Sequence, residues 1–335
     1  HSHGAGHREA AVRARARRGM RTYLVTGSAG FIGSHVARKL LTDGDRVIGV
    51  DGLRTELYPA RDKRRRHNEL ASFEHFESHL LDLRGTSIRP HLAGVDAVIH
   101  LGALAGIDGP RRSAAAYQQH NVDATALVLD AVRTSGAHFV HASTSSVYGA
   151  SAVGDENQPL LPVSAYGESK VRAEELVQSY VSQSSGTATV LRLFSAYGPE
   201  QRPDMAYAAA CRALIRGLPM SITGDGTQSR SNTFVTDVAN AVVLAARSRI
   251  SATLNIAGPD SVRLIDAIDI IAGELGVTPR LEFVPARGGD QVQTRGDSTL
   301  AHELLGWEPT VSIREGLAAQ VAWAVDQFEA SGSRR

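Results

Sequence analysis

The chain has 335 residues, 42% hydrophobic and 21% charged, which is ordinary for a water-soluble fold and allows one large or two smaller domains with ample core. No apolar run approaches the length of a membrane-spanning helix, so no membrane partner is expected. Cys211 is the only cysteine; an internal disulfide is excluded, a cytoplasmic location is expected, and the thiol reads as packing because no His motif accompanies it.

Residues 1–19, "HSHGAGHREAAVRARARRG", read as a tag or disordered leader ahead of Met20. They lack the apolar centre of a secretory signal. They carry five Arg and one Glu, and setting this net +4 aside takes the formal charge from +1 to −3. The body is therefore not basic, and no nucleic-acid partner is expected. The thirteen His are scattered; His75 and His79 bracket Glu77 in a strand-like "HFESH", which is not the helical zinc arrangement, so no metal site is expected.

Apolar strands alternate with helical segments from the start. "TYLVTG" reads as a buried strand, followed by a helix from about Phe31 to Asp43 and the strand "RVIGVDG". "FEHFESHLLDL" contains a third strand and "DAVIHLGA" a fourth; "AAAYQQHNVDATALVLDAVRTSG" is a long helical stretch, and "HFVHAST" the next strand. This order predicts an α/β fold, a Rossmann-type doubly wound parallel sheet with helices on both faces. Ligands then bind at the carboxyl ends of the strands. After about Gly198 the elements shorten, with turns at "RGLP", "GDGTQ" and "AGPD" and amphipathic helices at "LIDAIDIIAGELG" and "IREGLAAQVAWAVDQF". The expected division is a dinucleotide-binding domain over 20–198 and a smaller, mainly substrate-binding α/β lobe over 199–330.

"TGSAGFIG" sets Gly27, Gly30 and Gly33 between the first strand and the first helix. Glycines there permit the tight turn, close approach to a pyrophosphate and close helix packing, and the helix N-terminus favours phosphate. Asp51 ends the second strand about twenty residues later, where a carboxylate binds ribose hydroxyls and repels a 2′-phosphate. The expected cofactor is NAD; Arg54 is the nearby residue that would instead accommodate NADP.

"YGESK" puts Tyr166 and Lys170 on one face of a helix. A phenol acts as a base near neutral pH only if its ionised form is stabilised, and the Lys170 ammonium and the positive nicotinamide ring are both expected to do so. Tyr166 and Lys170 are also expected to contact the cofactor, Lys170 at the nicotinamide ribose. The pair follows the Ser/Thr-rich strand end "STSSVYG", whose Ser143, Thr144, Ser145 and Ser146 supply hydroxyls beside it.

Gly27, Gly30, Gly33, Asp51, Tyr166 and Lys170 together resemble the extended short-chain dehydrogenase/reductase superfamily, in particular its nucleotide-sugar epimerases and dehydratases. The likeness runs from about Arg21 to Phe328 and includes "LDL" with Asp82, "IHLGALAG", "HNVDAT" with Asn121, "LRLFSAYGP", "GDGTQSR" and "RGGDQVQTRGD". It implies that Phe31, Ile32, Asp82, Leu83 and Leu101 also line the cofactor, and that Tyr166 takes the proton of a sugar 4-hydroxyl while NAD takes the hydride. A hydroxyl among Ser143, Thr144 and Ser145 would bind the same oxygen.

The strand-end serines narrow the reaction. The family's 4,6-dehydratases carry Thr-Asp-Glu at this point and its glucuronate decarboxylases Thr-Ser-Glu, whereas this chain has Thr144-Ser145-Ser146. Hydroxyls orient oxygens but are poor acids and bases without activation. Hydride removal and return remain, which is 4-epimerisation. "YGPEQRPDMA" and "YPARDKRRRHNEL" resemble segments of UDP-glucuronate 4-epimerases. That resemblance implies that Arg202 binds the sugar carboxylate through a charge-assisted contact. It also implies sugar contacts from Ser145, Ser146 and Ser195, with Arg230 and Asp290 on the nucleotide side.

Departures from the family stand at Arg230-Ser231-Asn232, where Arg-Asp-Phe is usual, and in "AGIDGPRRS", which leaves Arg111 and Arg112 as alternatives facing the sugar; Arg287 lies beside Asp290. The expected partner is a UDP-sugar, and the expected assembly a homodimer through the helices after "AAAYQQHN" and "YGESK". The alternatives are a 4-epimerase of a neutral UDP-sugar, a UDP-glucuronate decarboxylase using an unconventional acid, and a non-catalytic NAD-binding regulator, which would have no need of both Tyr166 and Lys170.

Overall fold

The structure is a computed structural model that describes residues 19–106, 113–286 and 290–332. Strand β1 (Thr22–Thr26) leads into helix α1 (Phe31–Thr42), β2 (Arg46–Val50), α2 (Ala60–Leu70), β3 (Phe76–His79) and β4 (Ala97–His100). The next helical stretch is α3 (Ala114–Tyr117), a π-helical turn at Gln118–Asp123, and α4 (Ala124–Val132), followed by β5 (His138–Thr144). Then come β6 (Ser151–Gly154), α5 (Ala165–Gln183), β7 (Ala188–Leu193), β8 (Ser195–Tyr197), α6 (Ala206–Ile215), β9 (Met220–Thr223) and β10 (Ser229–Phe234). The chain ends with α7 (Val235–Ser248), β11 (Ala252–Ile256), β12 (Ser261–Arg263), α8 (Leu264–Leu275), β13 (Leu281–Val284), β14 (Gln293–Gly296), α9 (Thr299–Leu305) and α10 (Ile313–Gly332).

The large sheet has the order β11-β7-β5-β4-β1-β2-β3, and every adjacent pair in it is parallel. Its strands are near-continuous apolar runs because both faces are covered. One face carries α1 and α7, whose Val36, Leu40, Val238 and Val242 pack on Tyr23, Val25 and Ile99. The other carries α4 and α5, with Val128, Val132, Val177 and Tyr180 against Leu24, Val98 and Phe139. The expected Rossmann-type architecture is the one observed, and the order reverses between β1 and β4, where the ligand crevice of such sheets lies.

The large unit takes chain from beyond residue 198: α7 and β11 return to it after β8 and β10 have started the smaller sheet. That return is not visible in a linear division, because Val235–Ile256 reads as one more strand–helix alternation whichever layer it joins. The second sheet runs β12-β10-β14-β6, with β8 pairing β10, and β13 pairs β9 beside it. Its core gathers Tyr207, Leu214, Ile222, Ile268, Ile271 and Leu317. Cys211 lies in the same core, where burial pushes its thiol up to about 12, in keeping with a packing role. Gly276 ends α8 in the left-handed conformation at φ 66°, as the glycine after that helical pattern predicts. No described helix is long and apolar enough to cross a membrane. The leader residues 1–18 and Arg111, Arg112 and Arg287 lie outside the described residues.

Candidate active site

A cleft of about 360 Å³ opens at the carboxyl ends of β1, β2, β4 and β5 and runs to the smaller unit. At one end lies the glycine turn. Gly27 has φ 70°, and a Cβ on it would meet the backbone of Leu101 and Gly102 at 2.9 Å. A Cβ on Gly33 would sit 2.0 Å from the Gly27 carbonyl oxygen, so the first turn of α1 packs against the loop with no room for a side chain. Gly30 caps α1 without a side-chain hydrogen bond. The first-turn N–H groups are thus left for a ligand anion. Gly27, Gly30, Phe31, Ile32, Gly33, Asp51, Asp82, Leu83 and Leu101 all line this end of the cleft.

Asp51 is 8% exposed. Its carboxylate accepts from the Ala29 N–H at 3.1 Å and the Leu53 N–H at 2.7 Å, which aims it from the strand end at the glycine turn. Arg54 is paired with Glu56 and, at 3.1 Å, with Asp82. Two carboxylates therefore hold the residue that a 2′-phosphate would require. The Arg84 guanidinium donates to Asp82 and holds its carboxyl at about 2. The cradle closed to any Cβ, the uncapped helix start and the buried acid fit an NAD dinucleotide.

The chemistry-bearing end is built on β5 and α5. Ser164 caps α5 by accepting from the Gly167 N–H, so Tyr166 stands in the first turn and Lys170 one turn on. Lys170 is 4% exposed; its ammonium donates to the Ala142 carbonyl at 2.7 Å, and burial lowers its pKa to about 8 despite the nearby Glu174 charge. Burial also pushes the Tyr166 phenol up, while the neighbouring Thr144 hydroxyl and the charge of Arg202 pull it down. Lys170, expected to stabilise the ionised phenol, bonds the β5 backbone in this structure, and the groups that pull the phenol down are Thr144 and Arg202.

The hydroxyls of "STSS" do not act alike. Thr144 accepts from the Ser146 N–H at 3.2 Å and donates to the Ser146 Oγ at 3.3 Å, so these two face one another beside Tyr166 in the cleft. Ser145 donates to the Gln291 side-chain oxygen at 3.2 Å. Ser143, expected among the catalytic hydroxyls, donates inward to Glu174. Glu174 is 1% exposed and pairs with Arg192 at 2.8 Å. Alternation along β5 explains this: Thr144 points to the cleft, and Ser143 to the layer under α5.

Arg202 and Ser195 both line the cleft. Arg202 is held by Asp204 through two parallel contacts of 3.0 Å. Arg230, expected near the diphosphate, donates in this structure to the carbonyls of Ser229, Val292 and Gln291. It is not among the cleft residues, and neither is Asp290, whose charge acts on Arg230.

Tyr58, Lys63, His120 and Gln291 also reach the cleft without having been singled out. Tyr58 and Lys63 come from "YPARDKRRR", which buried Arg66 fixes by donating to Tyr58, to the Ala29 carbonyl and to the Glu200 carbonyl. Asn121, in the π-turn, bonds both backbone groups of Leu104 and the Ser169 hydroxyl, tying the β4 loop to α5. Among the described residues, no group of three His, Cys, Asp or Glu is placed to hold a metal ion.

Comparison with known proteins agrees with this geometry. The family model "NAD dependent epimerase/dehydratase family" matches residues 23–257. A UDP-glucuronate 4-epimerase of Thermodesulfobacterium geofontis (strain OPF15) is 33% identical over 314 residues, covering 92% of this chain and 97% of the relative. An uncharacterised UDP-glucose epimerase of Bacillus subtilis (strain 168) is 34% identical over 312 residues, covering 91% and 98%. The solved structure of a Bacillus cereus UDP-glucuronic acid 4-epimerase with UDP-glucuronic acid and NAD superimposes with a TM-score of 0.87 at 32% identity, covering 91% of this chain and 99% of that one. With the glycine cradle, the buried Asp51 and the Tyr166–Lys170 helix in place, the chain belongs to the NAD dependent epimerase/dehydratase family, and its cofactor is NAD.

Proposed function

We propose that this enzyme interconverts UDP-glucuronic acid and UDP-galacturonic acid through a transient 4-ketosugar. The observation that carries the reading is Arg202. A guanidinium lines the cleft near Tyr166, already gripping a carboxylate in two parallel contacts of 3.0 Å, with hydroxyls rather than acids at positions 144–146. Such a fork is matched to a carboxylate, and a sugar acid takes over the contacts that Asp204 makes in the free protein. The relatives and the superimposed structure named for glucuronic acid support the same substrate.

The residues then divide the work. Tyr166 accepts the 4-hydroxyl proton and later returns it, with Thr144 sharing the oxygen and Lys170 fixing the base of the pocket through the β5 carbonyl. Bound on the glycine turn, NAD supplies the acceptor that takes the C4 hydride and gives it back. Thr144 and Ser146 hold sugar oxygens without donating a proton to a leaving group, so water is not lost. A 4-keto-glucuronate is a β-keto acid; Arg202 holds its carboxylate out of line with the ketone π system and so suppresses loss of CO2.

Proton NMR of the protein with NAD and UDP-glucuronic acid tests this. UDP-galacturonic acid is the expected product. UDP-xylose or a 4-keto pentose would make the enzyme a decarboxylase, and turnover of UDP-glucose or UDP-N-acetylglucosamine alone would overturn the role of Arg202. Arg202→Ala is expected to lower kcat/KM for UDP-glucuronic acid about a hundredfold, since it strands a carboxylate in the cleft. An unchanged rate and product ratio would sink the carboxylate contact.

A further inference from the structure

Gln291 lies in neither of the segments that make the Tyr166–Lys170 site, yet every polar atom of its side chain is spent on the serine turn. The Ser145 hydroxyl donates to its Oε1 at 3.2 Å, and its Nε2 donates to the Ser145 carbonyl at 3.0 Å and the Gly149 carbonyl at 2.9 Å. Sheet register brings it there. β14 runs parallel to β6 with Gln293 opposite Ser151, and the Val292 N–H donates to the Ala150 carbonyl at 2.8 Å. Two residues upstream on both strands, Gln291 therefore meets Gly149. Arg230 fixes the backbone from the other side by donating to the Gln291 and Val292 carbonyls.

The turn needs such a tether. Ser145–Tyr148 is a single 3₁₀ turn ended by Gly149 at φ 93°. Its Gly149 N–H reaches the Ser146 carbonyl at only 3.3 Å. Its carbonyls at Ser145 and Gly149 find their donors in the Gln291 carboxamide, supplied from the smaller unit.

We propose that Gln291 is a positioning residue: it fixes the serine turn against Tyr166 and is the resting partner of the Ser145 hydroxyl whenever the sugar lets go of it. This rests on the 4-epimerase reading, in which the ketosugar must leave its first set of contacts and turn over before it is reduced. A serine hydroxyl left without a partner at that moment would distort the turn or grip the sugar. Handing it back to Gln291 keeps the turn in place while the sugar moves. The same carboxamide couples the Arg230 side of the smaller unit to the reacting end of the cleft.

The test uses the full chain, Gln291→Met, Ser145→Ala and the double variant, with NAD and UDP-glucuronic acid. Gln291→Met, close in volume but without hydrogen bonds, is expected to lower kcat about tenfold with KM within about twofold, the size of one stranded buried polar group. In the Ser145→Ala background the same change is expected to cost less than about threefold, because the two act as a unit. The Ser146 and Gly149 amides, read by hydrogen exchange without substrate, are expected to exchange about tenfold faster in Gln291→Met. Unchanged exchange and unchanged kcat would remove the tether, and additive losses would mean that Gln291 acts on the fold at large and not through Ser145. If UDP-glucuronic acid is not a substrate of the unaltered enzyme, the substrate reading fails while the exchange arm still decides the tether, and the kinetic arms move to whichever UDP-sugar is epimerised. Should Gln291→Met fail to fold, Gln291→Glu, which keeps the acceptor and loses both donors, is read by the same exchange measurement.

Discussion

The two ends of the cleft are made of different materials. The dinucleotide end is written in backbone: glycines that admit no Cβ, an uncapped helix start, and an Asp51 carboxylate aimed by two N–H groups. The sugar end is written in side chains, and most of them already have protein partners: Arg202 has Asp204, Ser145 has Gln291, and Thr144 has Ser146. A backbone site recognises one shape and resists change. A side-chain site with exchangeable partners accepts a ligand by trading contacts.

The largest effect separates chemistry from binding. Tyr166→Phe keeps the ring that stands 5.8 Å from Tyr117 and removes only the phenolic oxygen. Turnover is expected to fall about a thousandfold, within the range of a lost general base, with NAD affinity within about twofold. Single-turnover rates and a cofactor titration check both halves. A loss of NAD affinity equal to the loss of rate would mean that the two ends are not separable.

At the backbone end, Gly33→Ala places a methyl 2.0 Å from the Gly27 carbonyl oxygen. That atom is backbone and cannot swing aside, so α1 must move off the turn. NAD affinity is expected to fall about a hundredfold, as for overpacking of a rigid contact, while the hydrogen bonds of the serine turn stay as they are. Isothermal titration with NAD, alongside hydrogen exchange at Ser146 and Gly149, reads the two ends at once. Retained affinity would refute the view that this end is fixed by its backbone.

The same division explains what the sequence makes legible. Gly27, Gly33, Asp51, Tyr166 and Lys170 work through local spacing, a turn length or one helical turn, and local spacing is visible in the chain. Alternating apolar segments likewise reveal the parallel sheet. Gln291 is invisible because its partners lie 146 and 142 residues away and only the β6–β14 register joins them. Ser143 and Thr144 are adjacent hydroxyls in the sequence, and only the packing of Glu174 and Arg192 beneath α5 shows that one of them is turned inward. The three backbone carbonyls to which Arg230 donates are likewise not visible in the chain. Side-chain partners at long range are decided by tertiary packing, which residue identity at one position does not encode.

The smallest effect concerns Lys170, where the two materials meet: a buried side-chain ammonium is bonded to a backbone carbonyl. Unfolded, the amine titrates near 10.5; folded, burial brings it to about 8. Between those values the unfolded chain keeps a proton that the folded one has lost, so stability rises with pH across this window and falls as pH drops through it. Below about pH 8 both states are charged and the full cost of burying the ammonium is borne. Lys170→Met removes the titration, so its melting temperature, taken relative to the unaltered protein, is expected to be higher by about 2–4 °C at neutral pH and to lose that advantage as pH approaches 10.5. A difference that stays constant from neutral to alkaline pH would mean that the Ala142 carbonyl solvates the ammonium as well as water does. The buried charge would then be held at no cost in folding.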